Sequence, residues 1–209
     1  MVADSRAEVH SPPLLEYHRL TVLLVRPRRF ADSRGWFSES WNRVRFEAWG
    51  ITADFVQDNH SLSRDAGTLR GIHFQSPPFA QAKLVRCIRG RIWDVAVDLR
   101  RASPTYGKWV GAELSAENGD ELFIPAGYGH GFVTLEADSE VIYKVDAPYA
   151  PEVDGGIIWN DPDLAIVWPL NGQQPHLSEK DAVLPALSQA LFEFDYNGNP
   201  LTPLERISQ

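Results

Sequence analysis

The sequence predicts an all-β domain, a sandwich or barrel of short strands, on three features. Apolar residues alternate with a period of two, turn residues interrupt the runs every few positions, and stretches with helical spacing are few. Along the chain, residues 1–16 read as a flexible N-terminal extension punctuated by Ser11-Pro12-Pro13. Asn42 to Trp49 has apolar spacing and a Gly50 stop, which predicts a helix of about two turns. By period two, Lys83, Val85 and Cys87 share one strand face. In Asp94-Val95-Ala96-Val97-Asp98-Leu99 the valines and leucine face one way and the acids the other. Ser103-Pro104-Thr105-Tyr106-Gly107 makes a turn, Trp109 to Leu114 a strand, and Glu117-Asn118-Gly119-Asp120 a further turn. Glu121 to Ile124 is a short strand, and Glu140 to Val145 alternates again. Asp181 to Phe194 is expected to be helical in part, with Pro185 limiting where a helix begins, and residues 195–209 to form an irregular tail.

Composition narrows the function classes. The chain has 209 residues, 44% hydrophobic and 23% charged, enough for one domain with a real core. Its net charge of −8 sets an overall field that repels nucleic acid and acidic membrane surfaces, so neither is an expected partner. An anionic ligand therefore needs a local group of Arg and Lys. A single cysteine, Cys87, excludes an intramolecular disulfide and suits a reducing compartment. No segment approaches the roughly 20 apolar residues of a membrane span, and the first 13 residues lack an apolar leader core. A cytoplasmic location is expected.

The passage Gly119-Asp120-Glu121-Leu122-Phe123-Ile124-Pro125-Ala126-Gly127-Tyr128-Gly129-His130 has the spacing G-x5-P-x-G-x2-H. Its glycines and proline shape a tight turn, and the following strand can carry His130 inward. Read alone, the passage is equally a hairpin with one satisfied structural histidine. The spacing resembles the second sequence motif of the cupin superfamily, a jelly-roll (double-stranded β-helix) barrel with its site inside. Many cupins hold a metal through His-x-His in the first motif. Here that place reads His73-Phe74-Gln75, and no acid ligand follows within the next few residues. Two histidines make a poor tight site for zinc or iron, so no metal is expected.

Further motifs recur in order: Gln57-Asp58-Asn59-His60-Ser61, Leu69-Arg70-Gly71-Ile72-His73-Phe74-Gln75, Lys83-Leu84-Val85-Arg86, His130-Gly131-Phe132 and Trp159-Asn160-Asp161. Together they closely resemble the dTDP-4-dehydrorhamnose 3,5-epimerase family, over roughly Thr21 to Leu191. The resemblance implies a cupin jelly roll with short terminal helices, spanning residues 17–194, and a dimer whose active sites share residues between subunits. It implies no cofactor and a dTDP-linked 4-keto-6-deoxyhexose as substrate, inverted at carbons 3 and 5.

Such chemistry needs a base, a stabiliser for the enolate and an acid on the other face. The family pattern assigns the base to His73, oriented by Asp181, enolate stabilisation to Lys83, and the acid to Tyr143. Substrate contacts fall on Arg34, Glu39, Gln57, Asp58, Asn59, Arg70, His130, Asp154 and Lys180. At Asp154 the family carries Glu, one methylene longer. Bland readings stand beside these. Ser178-x-x-Asp181 also matches a helix N-cap with an acid at its third position. Tyr143 shares a face with Val141 and Val145, and its bland reading is a core tyrosine with its hydroxyl satisfied. Strict alternation puts Arg70 opposite His73, so either the strand starts after Arg70 or a bulge lies at Gly71. The rivals are a mono-epimerase, a 3,4-ketoisomerase, a silent sugar-nucleotide-binding cupin and a metal-dependent cupin oxygenase.

Overall fold

The computed structural model describes residues 21–208; the expected N-terminal extension, 1–16, lies outside them. The first strands are β1 (Leu23–Arg26), β2 (Arg29–Asp32) and β3 (Gly35–Ser38), followed by helix α1 (Arg43–Ala48). Next come β4 (Gln57–Ser63), β5 (Leu69–Gln75), β6 (Lys83–Arg89), β7 (Arg91–Asp98) and β8 (Trp109–Ser115). Strands β9 (Glu121–Ile124), β10 (Tyr128–Thr134), β11 (Ser139–Val145), β12 (Asp154–Gly156) and β13 (Glu205–Ser208) complete the set. They form a six-stranded sheet, β13-β1-β9-β6-β11-β4, and a five-stranded sheet, β12-β5-β10-β7-β8, with β2–β3 a separate hairpin. All pairings are antiparallel except β13 on β1. The expected all-β jelly roll is the observed fold.

Three apolar clusters explain why the sheets close. Val85, Cys87, Val141 and Leu122 from one sheet meet Ala96, Leu114 and Phe132 from the other between the layers. On the outside of the five-stranded sheet, Ile72, Val95, Val97 and Leu99 pack under Ile157, Leu164, Phe192 and Phe194. Outside the six-stranded sheet, Leu23, Leu84 and Phe123 are covered by Phe46 of α1, Trp41 and Ile51. The alternation expected for residues 94–99 holds, but the valines face outward under the C-terminal segment. The acids face the barrel interior, where Asp94 and Asp98 are both fully buried. Asp98 is neutralised there by Arg100, which it grips at 2.8 Å through both oxygens, with Ser103 at 2.7 Å.

Helix α1 starts where expected. Asn42 caps it by accepting from the Arg45 amide at 3.2 Å, and Gly50, at φ +85°, ends it. The C-terminal expectations are corrected. Of 181–194 only Asp181–Val183 is helical, a single 3-10 turn, because Leu184 precedes Pro185 and is held extended at φ −60°, ψ 145°. The segment expected to be an irregular tail ends in β13, which lies against β1.

Candidate active site

A cavity of about 350 Å³ opens at one end of the barrel, between the two sheets. The five-stranded sheet contributes Arg70 and His73 from β5, His130 and Phe132 from β10, and Asp154 from β12. The facing sheet contributes Gln57, Asn59 and Ser61 from β4, Lys83 from β6 and Tyr143 from β11. Ser178, Lys180 and Asp181 close one side.

A bulge brings Arg70 and His73 to the same cavity. His130 pairs with His73 and Phe132 with Arg70, so two β5 residues, Gly71 and Ile72, oppose Gly131 alone. The extra residue reverses alternation and resolves the conflict noted in the sequence. Gly71 sits at φ +119°, and a Cβ there would lie 2.5 Å from Gly131 Cα and 2.6 Å from the His130 carbonyl oxygen. Only glycine fits.

His73 donates its Nε2–H to Asp181 Oδ1 at 2.5 Å, which leaves Nδ1 as the basic nitrogen. Asp181 makes two contacts at once. Its amide donates to Ser178 Oγ at 3.0 Å while its buried carboxylate takes the histidine. Burial opposes ionisation of Asp181, but the bonds from His73 and Ser178 prevail and hold it below the usual carboxylate range. An anionic Asp181 fixes the His73 tautomer and favours the imidazolium formed on taking a proton.

On the opposite wall, burial raises the Tyr143 hydroxyl above its ordinary value despite nearby Arg70, so it stays protonated at neutral pH. Lys83 is only 7% exposed. Burial pushes its ammonium down to about 8, against the attraction of Asp94 and, less, Asp154. His130 donates to Asp94 at 2.6 Å, and its burial lowers its proton affinity, so the ring is neutral. At the rim, Asp154 accepts from Lys180 at 2.5 Å and from the Tyr149 hydroxyl at 3.1 Å. Gln57 donates to Asn59 at 2.8 Å. Gln75, at the place of a cupin metal ligand, uses its amide on the carbonyls of Phe79 and Pro148 and on the Ala150 amide.

Three residues expected at the substrate do not line this cavity. Asp58 points to the outer face of β4, one step out of phase with Gln57 and Asn59, and pairs with Lys144 at 2.8 Å. Arg34, at the hairpin turn, pairs with Asp32 at 2.6 Å, and Glu39 with Arg45 at 3.1 Å. The hairpin projects from the barrel rather than joining either sheet, with Phe30, Trp36 and Phe37 exposed. Ser61 and Gln81 line the cavity and Asp94 lies behind it, and none was read as a site residue in the sequence. Ser61 continues the Gln57–Asn59 phase and was within reach of the period-two pattern; Asp94, behind His130, was not, because alternation does not say which face is interior.

The epimerase-family resemblance is borne out. A family model described as dTDP-4-dehydrorhamnose 3,5-epimerase matches residues 20–189. A dTDP-4-dehydrorhamnose 3,5-epimerase of Sinorhizobium fredii is 54% identical over 175 residues, 84% of this chain and 89% of the relative. A crystal structure of a dTDP-6-deoxy-D-glucose-3,5-epimerase from Legionella pneumophila, in complex with dTDP-4-keto-L-rhamnose, superposes with a TM-score of 0.79. It is 44% identical and covers 84% of this chain and 94% of its own. A 3'-monoepimerase from Streptomyces bikiniensis, solved with dTDP-quinovose, gives a TM-score of 0.75 at 34% identity over 82% of this chain and 87% of its own. The barrel, the cavity and these likenesses agree: the chain belongs to the dTDP-4-dehydrorhamnose 3,5-epimerase family.

Proposed function

We propose that this chain inverts carbons 3 and 5 of dTDP-4-keto-6-deoxy-D-glucose to give dTDP-4-keto-L-rhamnose, as a cytoplasmic homodimer needing no cofactor. The observation that carries the reading is the division of proton chemistry between the two walls. A histidine base with its carboxylate stands on one sheet, and a protonated tyrosine with an ammonium on the other. Facing sheets lie about 10 Å apart, room for one sugar ring between them. Inversion requires that a proton leave one face of a carbon and return to the other, so base and acid belong on opposite sides of the ring. His73 Nδ1 takes the proton next to the ketone, and the electron pair moves onto the carbonyl oxygen. The Lys83 ammonium stabilises that oxyanion, and the Tyr143 hydroxyl returns a proton to the far face. Each step is redox-neutral.

Proton NMR of the substrate with the protein in deuterated water tests the reading. Exchange at both carbons, with a doubly inverted product, is the expected result. Exchange at one carbon would replace it with mono-epimerisation, the reading favoured by the likeness to the Streptomyces bikiniensis protein. Binding without exchange would end the catalytic reading. Tyr143→Phe keeps the ring but loses the proton, and we expect kcat for the inverted product to fall about 100-fold or more. Unchanged turnover would remove Tyr143 as the acid.

Arg34 and Glu39 enter as residues lent to the second subunit of a dimer. The exposed aromatic hairpin and the exposure of Arg34 support this. Arg34→Ala is expected to raise KM about tenfold through a lost phosphate contact. Mixed with inactive His73→Asn chains under subunit exchange, at subsaturating substrate, it should regain activity, because each mixed dimer contains one intact site. No recovery on mixing would place Arg34 outside the partner's site.

A further inference from the structure

Two buried charged groups beside the catalytic cavity are incompletely partnered. Among the described residues the Lys83 ammonium makes no hydrogen bond or ion pair, although only 7% of the residue is exposed. Asp94 is fully buried, and its Oδ2 accepts no hydrogen bond, while Oδ1 takes His130 Nε2–H at 2.6 Å. Buried charges without partners are costly, so fold-level packing alone does not account for either. Each answers the other: an ammonium and a carboxylate on adjoining walls of one barrel end.

The geometry also shows a second histidine–carboxylate dyad. His130 and His73 are directly opposed on neighbouring strands, and each gives its Nε2–H to a buried aspartate. The two rings differ in surroundings: His73 is one-third exposed at its side chain and His130 8%. A neutral ring beside Lys83 avoids two adjacent cations.

We propose that Asp94 is a positioning residue for the reaction: from behind His130 it locks that ring as the neutral Nε2–H tautomer and supplies the negative field that keeps Lys83 an ammonium. The proposal rests on the reading of Lys83 as the cation that meets the enolate oxygen. Other charges around Lys83 are accounted for. From β5 come Arg70 and His73, from β10 the neutral His130, and from β11 the protonated Tyr143. Among the carboxylates Asp181 is committed to His73, and Asp154 to Lys180 and Tyr149. Asp94 bonds His130 through Oδ1 alone, which leaves Oδ2 without a hydrogen bond, and its effect on Lys83 exceeds that of Asp154.

The test measures Lys83 itself. The chain has four lysines, Lys83, Lys108, Lys144 and Lys180, so competitive acetylation by acetic anhydride followed by peptide mass spectrometry resolves each across pH. In the unmodified protein Lys83 should titrate at about 8. In a folded Asp94→Asn protein its titration should fall by about one pH unit. The alkaline limb of kcat/KM should move down with it, with about a fivefold loss of kcat/KM at pH 8. An unmoved Lys83 titration in folded Asp94→Asn protein overturns the proposal. A moved titration with an unmoved alkaline limb supports the role of Asp94 as counter-charge and instead sinks the enolate role of Lys83. Should Asp94→Asn not fold, long-range proton–nitrogen NMR of the unmodified protein decides. A neutral His130 protonated at Nε2 supports the proposal, and a cationic or Nδ1–H His130 overturns it.

Discussion

His73→Asn is expected to abolish exchange at both carbons, lowering kcat by about 1,000-fold or more, with the fold and dTDP binding retained. Asparagine ends where Nδ1 stood, so the Asp181 carboxylate also loses the Nε2–H donor, and the binding control must show that the fold survives this loss. What the substitution removes from the chemistry is the basic nitrogen. No other group on that wall can replace it. His130 has the same ring and also lines the cavity, but its side chain is only 8% exposed and its Nε2–H is held by Asp94. Asp181 is 3% exposed and held below the usual carboxylate range, too weak a base for a carbon acid. Loss at both positions would mean that one base serves carbons 3 and 5 in turn. Retained exchange at one carbon would require a second base and would overturn the single-base assignment. The readout is the decay of the two substrate proton signals in deuterated water, with dTDP affinity measured by calorimetry as the control for folding.

Gly71→Ala should be the most damaging single methyl group in the chain. The residue stands at φ +119°, where an L side chain is strained, and the new Cβ would press on Gly131 Cα and the His130 carbonyl. Both obstacles are backbone and cannot rotate away. We expect about 3 kcal/mol of lost stability and a Tm lower by about 10 °C. Activity should also fall in whatever protein remains folded, because the bulge at this residue is what turns Arg70 and His73 to the same side. Gly172→Ala provides the contrast. That glycine is at φ +80° with nothing within 4 Å of its missing Cβ, so the cost should be about 1 kcal/mol from conformation alone. Equal costs for the two substitutions, measured by chemical denaturation, would remove the close contact as the reason for glycine at 71.

The period-two runs and frequent turns determined that the chain is a β sandwich or barrel, because alternation reports which residues share a strand face whatever surrounds the strand. Asn42 and Gly50 marked the ends of α1 for a similarly local reason: caps act on the nearest turn. The motifs around His73, Lys83, His130 and Tyr143 identified the family and most of the cavity. Tertiary structure decided the rest. Alternation could not say that Asp94 and Asp98 face inward while Val95 and Val97 face outward, since β7 is covered on both sides and the outer cover comes from residues 157–194, distant in sequence. It placed Arg70 away from His73, because a bulge depends on the partner strand, here the approach of Gly131. Strand β13 was illegible for the same reason: four residues gain their place only through β1, some 180 positions earlier. Motif membership grouped Asp58 with Gln57 and Asn59, yet the pleat turned it outward to Lys144. Contacts between neighbours in the chain were written in its pattern; contacts between distant segments appeared only when the barrel closed.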